Sequence, residues 1–268
     1  MKGKKIVIAV VIVLAVVSLS YFAVKGFGSG FSSYGRELGE VIASKNNPVV
    51  ATVNGMPIYL SDVALPYFSQ AVSYTRSKPE LMDYINSSST SEAEKEQAKE
   101  ALSDVPDPES VLYRVINIAL IDQYMLKKGV RIPALEIAEQ AKKAETAVNN
   151  SGGMWKKYQS ELIKSLGISE SEYYSKYYTR MLKQLYLWNA FEKSLKVPQF
   201  TESEIKEEMA QTHGNRDMAI AILRSSYLEK QTELKADALR KTASIKIVNS
   251  DVVKDLKSYF SNLYAAEP

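Results

Sequence analysis

Three times in this chain a serine or threonine is followed, three residues on, by a glutamate that opens a helical-looking run: Ser91/Glu94, Ser169/Glu172 and Thr201/Glu204. At that spacing the hydroxyl takes the N3 amide and the carboxylate takes the cap's own amide, so each pair marks a helix start. Helix ends are marked as well. Gly129 follows Lys127 and Lys128, Gly167 closes the run after Met154, Ser151-Gly-Gly153 interrupts the pattern, and Pro198 ends a long unit. Asp107-Pro108 starts another helix, in which Val111, Leu112, Val115, Ile116, Ala119, Leu120, Tyr124 and Met125 recur at three- and four-residue steps. Further helices are expected over 33–45, 134–148, 154–166, from Ser169 to a stop at Pro198, 201–211, 228–242 and 252–264. The fold class is therefore mostly α.

A small β element is expected beside the helices. Val49-Val-Ala-Thr-Val53 and Met56-Pro-Ile-Tyr-Leu60 flank Asn54-Gly55, a pair that tolerates positive φ and makes tight hairpins. Ile245-Lys-Ile247-Val248 alternates like a strand, and its pairing with 49–60 would close one domain from both ends. Ala219-Ile-Ala-Ile-Leu223 also reads as a strand. Ser61 is expected to cap a helix whose first turn contains Asp62, with Pro66 tolerated near its first turn or kinking it. Residues 75–110 are polar and broken by Pro79, Pro106 and Pro108, which suggests a peripheral arm or insertion.

The amino end differs in kind. Lys2, Lys4 and Lys5 precede an uncharged run over 6–24, which as a helix would span about 28 Å, close to a bilayer's hydrocarbon core. The basic cluster predicts a cytoplasmic tail at 1–5, a single transmembrane signal anchor at 6–24 and an exported body. Ser18-Leu-Ser20 is a weaker cue for cleavage within the same stretch. Residues 25–47 read as a linker, 48–250 as the folded domain and 251–268 as a C-terminal helix. The lipid bilayer is thus a partner through 6–24, and the location is the cell membrane with the body extracytoplasmic.

Residue types exclude much chemistry. The chain has no cysteine and one histidine, His213. Disulfides, thiol nucleophiles, Cys-ligated zinc and a Ser/His/Asp triad of ordinary spacing have no footing, and no metal site or cofactor is expected. Phosphate loops and dinucleotide fingerprints are absent. Past residue 27 acids outnumber bases by one, without the concentrated basic surface that nucleic acid requires.

Five ordered blocks resemble the SurA/PrsA-type N-terminal chaperone domain. They are Val49-Val-Ala-Thr-Val-Asn-Gly-Met-Pro-Ile-Tyr-Leu-Ser-Asp62; Val115-Ile-Asn-Ile-Ala-Leu-Ile-Asp-Gln-Tyr-Met-Leu-Lys-Lys-Gly-Val-Arg-Ile-Pro133; Leu166-Gly-Ile-Ser-Glu-Ser-Glu-Tyr173; Val197-Pro198 with Thr201-Glu-Ser-Glu-Ile205; and Leu239-Arg-Lys-Thr-Ala-Ser-Ile-Lys-Ile247. In that family a parvulin prolyl isomerase domain lies between the last two blocks. Here only 211–238 lies there, and the histidine pair of a parvulin site is missing. The resemblance implies a helical chaperone domain without the isomerase module, hence no enzyme, that holds unfolded or newly exported polypeptides.

A candidate surface for such clients follows from residue type. Met154, Trp155, Tyr158, Tyr173, Tyr174, Tyr177, Tyr178, Met181, Tyr186 and Trp188 gather amphipathic and soft side chains in one stretch of a chain with 17 tyrosines. Tyrosine gives apolar contact at low rotamer cost and keeps a polar tip wet, and methionine adapts its shape. Aromatics at helical spacing usually pack inward, but the adjacent pairs 173/174 and 177/178 wrap too far round one helix for a single neighbour to cover. Two alternatives remain: an isomerase-family foldase with a degenerate site, and a cell-envelope assembly protein with one dedicated partner. A homo-oligomer is left open.

Overall fold

The structure is a computed structural model of the chain and describes residues 31–151, 153–211 and 214–259. The described residues divide into two compact units. The first joins the residues up to Asn47 with Leu135–Thr179; the second joins Pro48–Ala134 with the residues from Arg180 on.

In the first unit, α1 (Phe31–Ser44) packs along α6 (Met154–Ser165). Gly35 and Gly39 lie one turn apart, and a Cβ at either would run into the backbone carbonyl of Tyr158 or of Leu162 on the facing helix. Two glycines on one face let the backbones approach, and Leu38, Ile42, Tyr158 and Leu162 fill the remaining space. Residues 33–45, expected to be helical within a linker, are thus built into the unit. α5 (Ala134–Ser151) buries Ile137 and Ala141. After Gly167, the short α7 (Glu170–Glu172) leads into a π-helical turn, Tyr173–Tyr178, and then into α8 (Thr179–Ser194), which belongs to the second unit from Arg180 on.

The second unit is built round a three-stranded antiparallel sheet, ordered β2 (Met56–Tyr59), β1 (Val49–Val53), β3 (Ile245–Ile247). The Asn54-Gly55 turn has φ of 51° and 82°, so the hairpin forms as its two residues dictate. β3 pairs with β1 as the alternation of 245–248 implied. Asn54 N donates to Ser244 O at 2.7 Å, Val248 N donates to Val50 O at 2.9 Å, and Thr52 faces Lys246 between them. Ser244 N in turn donates to Asn54 Oδ1, which locks the end of the ladder.

Helices cover the sheet. α2 (Leu60–Asn86) buries Leu60, Val63, Ala64 and Tyr67, and α4 (Pro108–Lys127) buries Val111, Leu112, Val115 and Ile116. Gln123 of α4 reads the hairpin directly: its Nε2 donates to Val53 O at 2.9 Å, and its Oε1 accepts from Asn54 Nδ2 at 2.7 Å. Ile121 and Met125 pack with Leu187 and Phe191 of α8, flanked by Leu239 of α10 (Arg216–Arg240). α9 (Glu202–Gln211) lies along α10, tied by a two-point Arg216–Glu202 ion pair, and α11 (Ser250–Tyr259) closes the unit with buried Val253 and Leu256.

Three expectations are corrected. Ser61 does not cap α2: the helix starts at Leu60 behind Tyr59, whose N–H donates to Asp62 at N3. Residues 219–223 are helical, not a strand: Asn215 caps α10 by accepting from Met218 N, and Ala219 is buried where α9 packs. Pro79 does not break the arm. α2 runs through both Pro66 and Pro79 to Asn86, and α3 (Glu92–Ser103) packs back on it, with Tyr74 Oη donating to Leu102 O at 2.9 Å. Among the described residues no helix is long and apolar enough to cross a membrane, and the apolar run at 6–24 lies outside them.

Candidate polypeptide-binding surface

The tyrosines sit on the π turn of the first unit. Ser169 caps its approach, accepting from Glu172 N at 3.1 Å. Thr179 N–H then donates to Tyr174 O, five residues back, as the wider turn requires, and Thr179 Oγ1 donates to the same carbonyl. The turn sorts the four tyrosines into two rows, one stacked and one tilted. Tyr173 and Tyr177 lie 6.1 Å apart with rings inclined by 22°; Tyr174 and Tyr178 lie 5.3 Å apart at 59°. Tyr173 meets Tyr174 edge to face at 5.5 Å, which joins the rows.

The rows do different work. Tyr174 is only 2% exposed and donates its hydroxyl proton to Gln159 Oε1 of α6 at 3.0 Å. Tyr158 is buried at the close crossing with α1. Tyr173, Tyr177 and Tyr178 are half-buried, and Lys176 stands 5.9 Å from the Tyr177 ring. Burial pushes the Tyr173 phenol up to about 12 and raises those of Tyr158, Tyr174 and Tyr178. All four therefore keep their protons at ordinary pH and act as neutral donors, with no nucleophile or base among them.

The other candidate residues lie elsewhere. Met181, Tyr186 and Trp188 are on α8 in the second unit. Met181 is exposed, Tyr186 is half-buried, and Trp188 is turned to its own helix, donating Nε1–H to Glu192 Oε1 at 2.8 Å. Met154 and Trp155 open α6, but their side chains lie outside what is described, as does His213.

A second cluster escaped the sequence reading. Asp62, at N3 of α2, accepts from Tyr59 N at 2.8 Å and from Arg180 of α8 at 2.8 Å. The same guanidinium lies 5.6 Å from the Tyr59 ring. Burial raises Asp62 while Arg180 draws it back. Asp122 of α4 also feels Arg180, yet burial pushes it up to about 7, and its Oδ1 is buried with no hydrogen-bond partner among the described residues. Asp62 and Asp122 stand in the first two family-like blocks, but nothing in their spacing links them to an arginine far along the chain. Among the described residues no three His, Cys, Asp or Glu side chains group to hold a metal ion.

A family profile described as the SurA-like N-terminal domain matches residues 1–187, well over half of the chain. The chain belongs to that family, whose shared domain is the non-catalytic chaperone part of such proteins, and no parvulin domain is found. The match takes in the hairpin, α4 and the tyrosine turn and stops before α9, α10 and β3. No curated protein and no solved structure matches the chain significantly.

Proposed function

We propose that this protein is a membrane-anchored, extracytoplasmic chaperone that holds unfolded or newly exported polypeptides and carries out no reaction on them. The observation that carries the reading is the half-exposed pair Tyr173 and Tyr177 on the π turn, stacked on one another beside Tyr174, which is buried and bonded to Gln159. Stacked rings offer flat apolar area that loses little rotamer freedom on contact, and hydroxyl tips accept or donate to whatever backbone arrives. Such a face binds many sequences weakly, with no fixed complement. Membership of a chaperone-type family supports the same reading. The anchor rests on the basic cluster and apolar run at 6–24.

Replacement of the outer row tests it. Tyr177→Ser should reduce suppression of aggregation of a chemically unfolded client several-fold, while far-UV circular dichroism stays unchanged and Tyr177→Phe retains most of the effect. Holding by Tyr177→Ser at the level of the parent chain would overturn the reading. So would a pull-down that returns one stoichiometric partner in place of a broad set of unfolded chains.

A further inference from the structure

The two edges of the sheet are finished differently. β2 carries Pro57 opposite Thr52, at a position whose backbone points away from β1. Proline has no N–H to offer, so that edge is blunted. β3 carries no proline. Its bonded pairs with β1 fall at Ser244, Lys246 and Val248, so the N–H and C=O groups of Ile245 and Ile247 point outward. Among the described residues none pairs with them.

We propose that this outer edge of β3 accepts an extended segment of an unfolded polypeptide as a fourth strand. The proposal rests on the reading that clients are unfolded chains, but uses a surface separate from the tyrosine turn. Two donors and two acceptors alternating along one edge match the outward groups of another extended backbone, a fit that helices and small solutes lack. The side chains define what the segment should carry. Ala51 and Val53 are buried on the core face of β1, and the same face continues across β3 to Ile247, which is half exposed at the rim. An added strand with an apolar residue beside Ile247 extends that layer and covers it. Lys246 points to the opposite face, exposed, and favours an acidic residue directly across from it. The occupant is thus an extended segment alternating apolar residues with polar or acidic ones.

The test uses the full chain and a soluble peptide alternating valine with threonine and glutamate. Hydrogen exchange is followed residue by residue. Peptide at millimolar concentration should slow exchange at the Ile245 and Ile247 amides, and leave that of Lys246, already paired with β1, unchanged. The same peptide N-methylated at alternate residues should protect nothing. Ile247→Pro removes one outward donor and spares the bonds to β1, and should weaken binding by about tenfold or more; Lys246→Glu should weaken it less, through charge alone. Protection should persist in Tyr177→Ser. If the peptide protects both amides while the parent chain holds no unfolded client, the edge stands and the capture reading falls. Unchanged exchange at both isoleucine amides overturns the proposal. So does protection that grows with protein concentration in the absence of peptide, which would make the occupant a second copy of this chain.

Discussion

The tyrosine turn of the first unit and the Asp62–Arg180–Asp122 cluster of the second are subject to the same force with opposite results. Both sets of groups are pushed upward in pKa by burial. A phenol is already neutral at pH 7, so the push only deepens a state it would occupy anyway. A carboxyl is charged at pH 7, so the push brings Asp122 to the edge of protonation. Burial makes the first site indifferent to pH and the second responsive to it. In the proposed role, a surface that meets varied chains needs a constant character, which an internal cluster does not.

The contrast is broken most directly at Asp122. In the unfolded chain its carboxyl titrates near ~4, and in the folded one at about 7. The folded state therefore holds the proton more tightly. The stability this carboxyl contributes is fully present below pH ~4, falls as pH rises through 7, and is gone above that. Asp62, also raised, acts in the same sense. Full burial would make the loss ~4 kcal/mol; partial solvent access to Asp122 brings it down to ~2–3 kcal/mol. Asp122→Asn should remove most of this slope, leaving the second unit more stable than the parent at pH 8 and little changed at pH 4. Urea midpoints read through the exchange of α4 amides are the measurement, and a parallel slope in both proteins would refute the assignment.

The next largest effect lies behind the tyrosine turn. Gly39→Val drives a branched side chain into the Leu162 carbonyl and the Ser165 side chain, and should destabilise the first unit by ~1–3 kcal/mol at every pH from 5 to 9. A pH-dependent loss would mean that the two units do not titrate independently. Tyr174→Phe sharpens the comparison further. It strands the Gln159 amide oxygen and should cost ~1–2 kcal/mol, again without pH dependence, in amide exchange of α6. Smallest in stability is Tyr177→Ser, expected within ~0.5 kcal/mol of the parent because the ring is half in water. Its effect belongs to client holding.

Local rules made much of this fold readable. Ser91 and Glu94, Ser169 and Glu172, and Thr201 and Glu204 sit at helix starts, and in the first and third the glutamate reaches back to the cap amide at 2.8 and 2.7 Å. The Asn54-Gly55 hairpin and the return of β3 followed from alternation and turn chemistry. The failure at 219–223 has a simple cause: five apolar residues fit either period, and the Asn215 cap that decides between them went unread. Pro79 misled because a proline's penalty is local, while the packing of α3 on α2 is distributed along both helices. Of the candidate site, the choice of tyrosines was legible but their sides were not. A π turn changes which rings face inward, and no residue type announces one. Asp122 and Arg180 meet only through the packing of α4 and α8, which one sequence does not disclose.

Asn54 and Ser244 close the ladder between β1 and β3 across 190 positions. A ribosome delivers β3 long after β1, so over the intervening stretch of synthesis the middle strand has a partner on one flank only. Closure of so long a loop is slow and comes late in assembly. Until then β1 has one bare flank, which a neighbouring nascent chain can reach before its own mate arrives.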